Sequence, residues 1–195
     1  MTSSYDIQEL KKRISKGDFN ALNVLYKLYY RKLTLYGIQF SPQLSSLSVE
    51  DTIQELFLWI SQNHNHLAEI ENLEVYLFSA LKRNIYQDIH KVQSRKKLMV
   101  LYSYNTTTDT HESSKENKII DTENSHHNKQ VVQQLLSSLP EKQKEVLYLR
   151  NYVNLSYKDI AEVMNLSEQI VRNYSYRAMQ KLRTQNSIKA TRKEG

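Results

Sequence analysis

The chain has 195 residues, enough for one or two small domains, and only 3 of them are Gly and 2 are Pro, too little turn punctuation for a hairpin-rich β fold. It has no cysteine, which excludes a disulfide scaffold, a Cys-ligated zinc finger and a thiol nucleophile. Its net charge is +6 and its pI about 9.3. No apolar run approaches the ~18 residues of a membrane span, and the opening MTSSYDIQELKKR lacks the apolar stretch of a signal peptide. The expectation is an all-α, cytoplasmic protein with no membrane insertion and no cofactor.

In chain order, Asp18 after Gly17 caps a first helix. Leu22, Leu25, Tyr26, Tyr29, Leu33 and Tyr36 follow at steps of three and four, which makes one buried stripe. Gly37 is its expected stop. Ser48, with Asp51 three residues on, opens a second helix with Ile53, Leu56, Phe57 and Ile60 inward. A third runs from about 72 to 97, with Phe78, Leu81, Ile85, Ile89 and Val92 as its stripe. Residues 103–128 are rich in Ser, Thr, Asn and His, carry a net charge of −3 and hold almost no apolar content. They bury too little to offset their ordering entropy. The expected organisation is a helical bundle at 5–100, a flexible acidic linker at 101–128, a four-helix unit at 129–185 and a basic tail at 186–195.

In the C-terminal unit a helix is expected at 129–137. Pro140 opens the next at its first position, and Ser156 with Asp159 caps a short third ending at Met164. Asn165-Leu166-Ser167 turns into the fourth, about 168–184. A short helix, a three-residue turn and a longer basic helix form a helix-turn-helix. Ala161 is small where the helices cross, Asn165 tolerates a left-handed turn, Leu166 plugs the corner, and Ile160, Val171, Ala178 and Leu182 face inward. Outward lie Gln169, Arg172, Asn173, Tyr176, Arg177 and Gln180. Arg, Asn and Gln read base edges in the major groove, while Lys181, Arg183, Lys189, Arg192 and Lys193 suit phosphates.

Charge is also segregated in the first unit. Six acids and no Lys or Arg lie between 50 and 74; six bases and one acid lie between 76 and 102. Asp51, Gln54, Glu55 and Leu58 share one polar-acidic helix face suited to a basic partner. Trp59 beside it serves either that contact or internal packing. On the third helix Tyr76, Ser79, Arg83, Tyr86 and His90 share a face flanked by Lys82. Rings interleaved with bases suit single-stranded DNA, and half-buried packing of Tyr76 and Tyr86 is the alternative. His64, His66, His126 and His127 lack the tight four-ligand arrangement of a structural zinc site. No nucleophilic triad, phosphate loop or paired carboxylates in a cleft is visible, so an enzyme is not expected.

These motifs carry a resemblance. Leu136-Ser-Ser-Leu139-Pro140-Glu-Lys-Gln143-Lys-Glu145-Val146, then Leu155-Ser156-Tyr157-Lys-Asp159-Ile160-Ala161, then Arg172, Tyr176-Arg177-Ala178 and Leu182, resemble region 4 of the sigma-70 family. Asp51-Thr-Ile-Gln54-Glu55-Leu-Phe57-Leu resembles region 2.2, and Tyr76-Leu77-Phe78, Asn84, Asp88 and Lys91 resemble regions 2.3 and 2.4. The order and the polar linker resemble the short extracytoplasmic-function (ECF) sigma factors. The resemblance implies a factor that binds core RNA polymerase through Asp51, Gln54, Glu55 and Leu58. It implies −10 promoter reading by Tyr76, Lys82, Arg83, Asn84, Tyr86 and Lys91. It implies −35 reading by Gln169, Arg172, Asn173, Tyr176, Arg177 and Lys181, and an anti-sigma protein as a further partner. Members of the family usually have Gly where Asn154 stands, and an apolar residue is common at Ser175. The competing reading is an autonomous helix-turn-helix regulator that binds duplex DNA without polymerase; a third is a decoy that binds polymerase and not DNA.

Overall fold

A computed structural model of the chain describes residues 6–41, 46–103 and 138–191. All regular structure among them is helical. We label the helices α1 (Ile7–Ser15), α2 (Phe19–Phe40), α3 (Ser46–Gln62), α4 (Leu73–Ser103), α5 (Glu141–Tyr148), α6 (Tyr157–Met164) and α7 (Glu168–Thr191). A 3-10 turn (His64–Glu69) joins α3 to α4, and a π turn (Leu149–Val153) follows α5.

Helix α1 adds to the expected elements. Asp6 caps it through Gln8 N at 2.9 Å, and Leu10 and Ile14 are buried against the bundle. Asp18 caps α2 as expected, accepting from Asn20 N and Ala21 N. The α2 stripe is buried at Leu25, Tyr29, Leu33 and Tyr36.

Gly37 does not end α2, which continues to Phe40. It is buried inside the helix, and a Cβ there would lie 2.4 Å from Val49 Cγ1. The glycine lets α3 approach closely. Helix α3 begins at Ser46, so Ser48 lies within its first turn instead of capping it. Thr52 is buried and donates to Ser48 O at 2.7 Å.

Asn72 caps α4, its Oδ1 accepting from Glu74 N at 3.0 Å and Val75 N at 3.2 Å. Phe78, Leu81 and Ile85 are buried, whereas Val92 is 41% exposed. The inward stripe fades there because α4 outruns the bundle and reaches Ser103, beyond the expected end near 97. Residues 101–103 of the expected linker are thus helical. The remainder of that linker and the expected helix at 129–137 lie outside the described residues.

Pro140 stands one residue earlier than expected, as the N-cap of α5, with φ −58° and ψ 148°. The π turn ends at Asn154 in the left-handed region (φ 73°), and Leu155 N bonds back to Leu149 O at 3.0 Å. This gives the reason for the glycine usual in the chains it resembles: at positive φ a Cβ costs energy, and Asn tolerates the region better than most residues. Ser156 and Asp159 form the expected reciprocal capping box of α6, and Asn165 is left-handed at φ 51°. Helix α7 extends past the expected end at 184 and through most of the basic tail.

The N-terminal and C-terminal units share one apolar core. Val146, Leu149, Val153, Leu155, Ile160 and Val171 belong to the same buried cluster as the α1–α4 side chains.

Candidate nucleic-acid interface

The helix-turn-helix presents its second helix outward. Ala178 and Val171 are fully buried and Ser175 nearly so, which fixes the opposite face. Gln169, Arg172, Asn173, Tyr176, Arg177, Gln180 and Lys181 are all exposed on α7. Tyr176 is 63% exposed, and Gln180 donates to its hydroxyl at 2.6 Å. Buried Ser175 lies 3.2 Å from the Tyr157 hydroxyl, and half-buried Tyr174 packs on the core. Together they occupy the place where an apolar residue is common.

Arg172 is held from two sides. Its guanidinium lies 4.8 Å from the centroid of Tyr157, and its Nε donates to Glu168 Oε1 at 2.9 Å. Arg150 stacks on the same tyrosine ring, also at 4.8 Å, while its Nη1 donates to Leu155 O at 2.8 Å. Arg150 and Glu168 were not among the expected site residues. The i, i+4 spacing of Glu168 and Arg172 is a readable sign of their pairing. The Arg–Tyr–Arg stack spans three elements and has no local sequence signal.

On the N-terminal unit, Asp51, Gln54, Glu55 and Leu58 are all exposed on one α3 face, Leu58 by 58%. Trp59 is 43% exposed and stacks on His66, with centroids 6.4 Å apart and planes 24° apart; its ring also lies 6.2 Å from that of Tyr76. It therefore faces both solvent and neighbouring rings. A groove between α3 and α4 connects this face to Tyr76, Arg83 and Asn84. Tyr76 is half-buried, and that desolvation raises its hydroxyl pKa above the ordinary tyrosine value. Tyr86 is 53% exposed and Arg83, Lys91 and His90 are exposed.

Lys82 differs from its neighbours. Its Nζ lies 2.6 Å from Glu145 Oε1 and its side chain is 20% exposed, so in this conformation it is turned to a carboxylate and not to solvent. Among the described residues no group of His, Asp and Glu could hold a metal ion, and no helix is long and apolar enough to cross a membrane.

Residues 129–182 match the family model for sigma-70, region 4. The C-terminal unit is thus similar to region 4 of that family. No curated protein sequence matches the chain. The whole fold is similar to that of CnrH, solved in complex with the cytosolic domain of CnrY: TM-score 0.55, 17% identity, 92% of this chain and 96% of that one covered. It is also similar to the sigma factor RpoE of Bartonella quintana, solved with the anti-sigma factor NepR: TM-score 0.50, 18% identity, 83% of this chain and 94% of that one covered. The region 4 match falls on the helix-turn-helix, in a chain whose all-helical fold is similar to those of these two proteins.

Proposed function

We propose that the chain is a promoter-specificity factor for bacterial RNA polymerase, and not an autonomous regulator. The observation that carries the proposal is the row of exposed Gln169, Arg172, Asn173, Tyr176, Arg177 and Lys181 on the second helix of a region 4 match. In this reading α7 enters the −35 major groove. Arg172, Asn173 and Gln169 address base edges and Lys181 a phosphate, where sequence-independent contacts set position. On α4, Tyr76 and Tyr86 stack on unpaired −10 bases while Arg83 and Lys91 neutralise backbone. Asn84 supplies a donor and an acceptor for reading one base, and Lys82 joins them once released from Glu145. Stacking contributes roughly 1–3 kcal/mol per base, comparable to the few kcal/mol that extruding a base costs. Capture of unpaired bases can therefore drive opening without a nucleotide fuel.

The exposed acidic face of Asp51, Gln54 and Glu55, with apolar Leu58 at its C-terminal end, suits a basic helical partner, and we assign it to the polymerase clamp. RpoE is solved with an anti-sigma factor, and a protein of that class is the partner we propose for this chain when polymerase is absent. The functional units are 5–100 for polymerase and −10 binding, 129–185 for −35 binding, and the acidic stretch between them as a tether. The setting is the cytoplasm.

Co-elution with sigma-free core polymerase tests the reading. The wild type is expected to co-elute, and an Asp51→Ala, Gln54→Ala, Glu55→Ala variant to run apart from it. A wild-type chain that binds duplex DNA and never polymerase would overturn the proposal in favour of the autonomous regulator. Arg172→Ala in the reconstituted holoenzyme is expected to weaken −35 discrimination by about 1–3 kcal/mol, the worth of one bidentate base contact. Competition between matched and scrambled −35 duplexes measures it.

A further inference from the structure

Arg172 differs from its neighbours in the exposed α7 row because part of its guanidinium is already engaged. Its Nε donates to Glu168 Oε1 at 2.9 Å, and its Nη2 donates to the same oxygen. Its Cζ lies over the Tyr157 ring, 4.8 Å from the centroid. A guanidinium is a rigid planar fork of five N–H groups, and the Glu168 carboxylate takes its side edge, one N–H from Nε and one from Nη2. The three that remain lie on the end edge, two on Nη1 and one on Nη2. The side chain is 54% exposed, and Nη1 has no hydrogen-bond partner among the described residues. Tyr157 is itself held. It is half-buried, its hydroxyl lies 3.2 Å from the Oγ of buried Ser175, and Arg150 Cζ lies over the same ring at 4.8 Å.

We infer that Glu168 and Tyr157 are positioning residues for Arg172: they fix its guanidinium so that the end edge is left to select a guanine in duplex DNA. This rests on the promoter reading above and adds to it the base selected and the two residues that make the selection sharp.

Three physical arguments support the assignment. The first is shape. Two parallel N–H groups match the O6 and N7 acceptors of guanine, whereas adenine presents an amino donor in place of O6 and repels one of them. The second is order. A free arginine loses rotamer freedom when it binds, and Arg172 has lost much of that freedom before DNA arrives. The third is charge. The carboxylate beside it offsets the guanidinium charge, so Arg172 draws less on phosphates, whose contacts carry no sequence information. An exposed ion pair adds little to the stability of a helix, so orientation is the larger effect of Glu168. The approach is open as well: Arg172 borders a groove with Tyr176, Gln180 and Arg183, and among the described residues no carboxylate lines it.

The test offers a pool of fully randomised duplexes to the full-length chain assembled with core polymerase, and sequences the bound molecules. Arg172→Ala is expected to erase the preference at one position of the enriched element, and that position to be guanine in the wild type. There, Tyr157→Leu and Glu168→Ala are each expected to lower the guanine preference about threefold, the worth of one exposed cation–π contact or ion pair. Tyr157→Phe keeps the ring and should keep the preference. In an Arg172→Ala background neither substitution should change the selection further. Glu168→Ala is also expected to raise affinity for the unselected pool and to steepen its salt dependence by about one counterion, because the released guanidinium reaches a phosphate. A merely structural role would lower both kinds of binding together. If circular dichroism shows that Tyr157→Leu loses helix content, Glu168→Ala carries the test. A lost position other than guanine overturns the base assignment. Equal effects with and without Arg172, or equal losses of selected and unselected binding, overturn the positioning role. A wild-type assembly that enriches no sequence overturns the promoter reading itself.

Discussion

The two units reach stability by different routes. Of the largest fully buried side chains, all but Leu149 belong to the N-terminal unit, from Ile14 and Leu25 through Tyr36, Phe78 and Leu81. The C-terminal unit packs small residues where its helices cross, among them Ala161, Ser175 and Ala178. It marks its boundaries with local devices instead: a capping box at Ser156 and Asp159, and left-handed Asn154 and Asn165. One unit is held by long-range apolar interlock. The other is shaped by backbone chemistry and completes its core against its neighbour. The unit with the smaller core carries the exposed helix α7, so its orientation depends on contacts made outside it.

A substitution in the shared core should show the largest effect. Phe78 is fully buried on α4 and meets Tyr36 edge to face at 5.3 Å. Phe78→Ala is expected to cost about 3–5 kcal/mol, through lost burial and the cavity left behind. Because the cluster is continuous across both units, denaturant unfolding should remain one transition with a lower midpoint. Two separated transitions, with the C-terminal step unchanged, would show that the units are energetically independent.

Glu145→Ala acts on the boundary itself. It removes the only carboxylate facing the Lys82 ammonium in the contacts described and leaves Tyr36 Oη without its acceptor. Removing one partner of a fully buried pair costs 3–5 kcal/mol, and the partial exposure of Lys82 brings the expectation to about 2–3 kcal/mol. A second substitution, Lys82→Met, should recover much of the loss in a double-mutant cycle of chemical denaturation. Simple additivity would show that the two groups do not interact.

The local devices of the C-terminal unit should give smaller and opposite responses. Asn154 sits at φ 73°, where a Cβ costs roughly 1–2 kcal/mol and Asn is less penalised than other side chains. Asn154→Gly is therefore expected to raise thermal stability slightly and Asn154→Ala to lower it by about 1 kcal/mol. If both lower it, the Asn side chain itself is holding the π turn.

This contrast also explains what was legible in the sequence. The helix-turn-helix was readable residue by residue, because caps and turns act within a few positions: Ser156, Asp159 and Asn165 each imposed the predicted geometry. Stripe periodicity likewise placed Leu25, Tyr29, Leu33 and Tyr36 inward. Gly37 was misleading because a glycine at a helix stop and one at a close crossing look alike, and only Val49, twelve residues on, distinguishes them. Glu145 was read as part of a motif and its partners were invisible, since Tyr36 is 109 residues away in the chain. Lys82 was legible as a cation on the right helix face, but not as one already engaged.

The smallest effect we expect lies at the start of α2, and it tests whether the N-terminal unit also uses local chemistry at its edge. Asp18 caps α2 and accepts from Arg13 Nε and Nη2 at 2.9 and 2.8 Å. The Arg13 hydrogen bond, followed by the backbone bond from Ala21 N, holds its pKa below the ordinary aspartate value. A carboxylate whose pKa is depressed on folding stabilises the folded state above its unfolded pKa, and that contribution is lost as pH falls through the folded one. Asp18→Asn keeps a capping oxygen and removes the charge. Its melting temperature should lie slightly below that of the wild type at neutral pH, and the gap should close as the pH is taken below roughly 4, the ordinary aspartate value. The group is exposed, so salt should shrink the same gap at neutral pH. A gap that persists unchanged at low pH would mean that Asp18 acts through its cap geometry alone, and that the charge of Arg13 is idle.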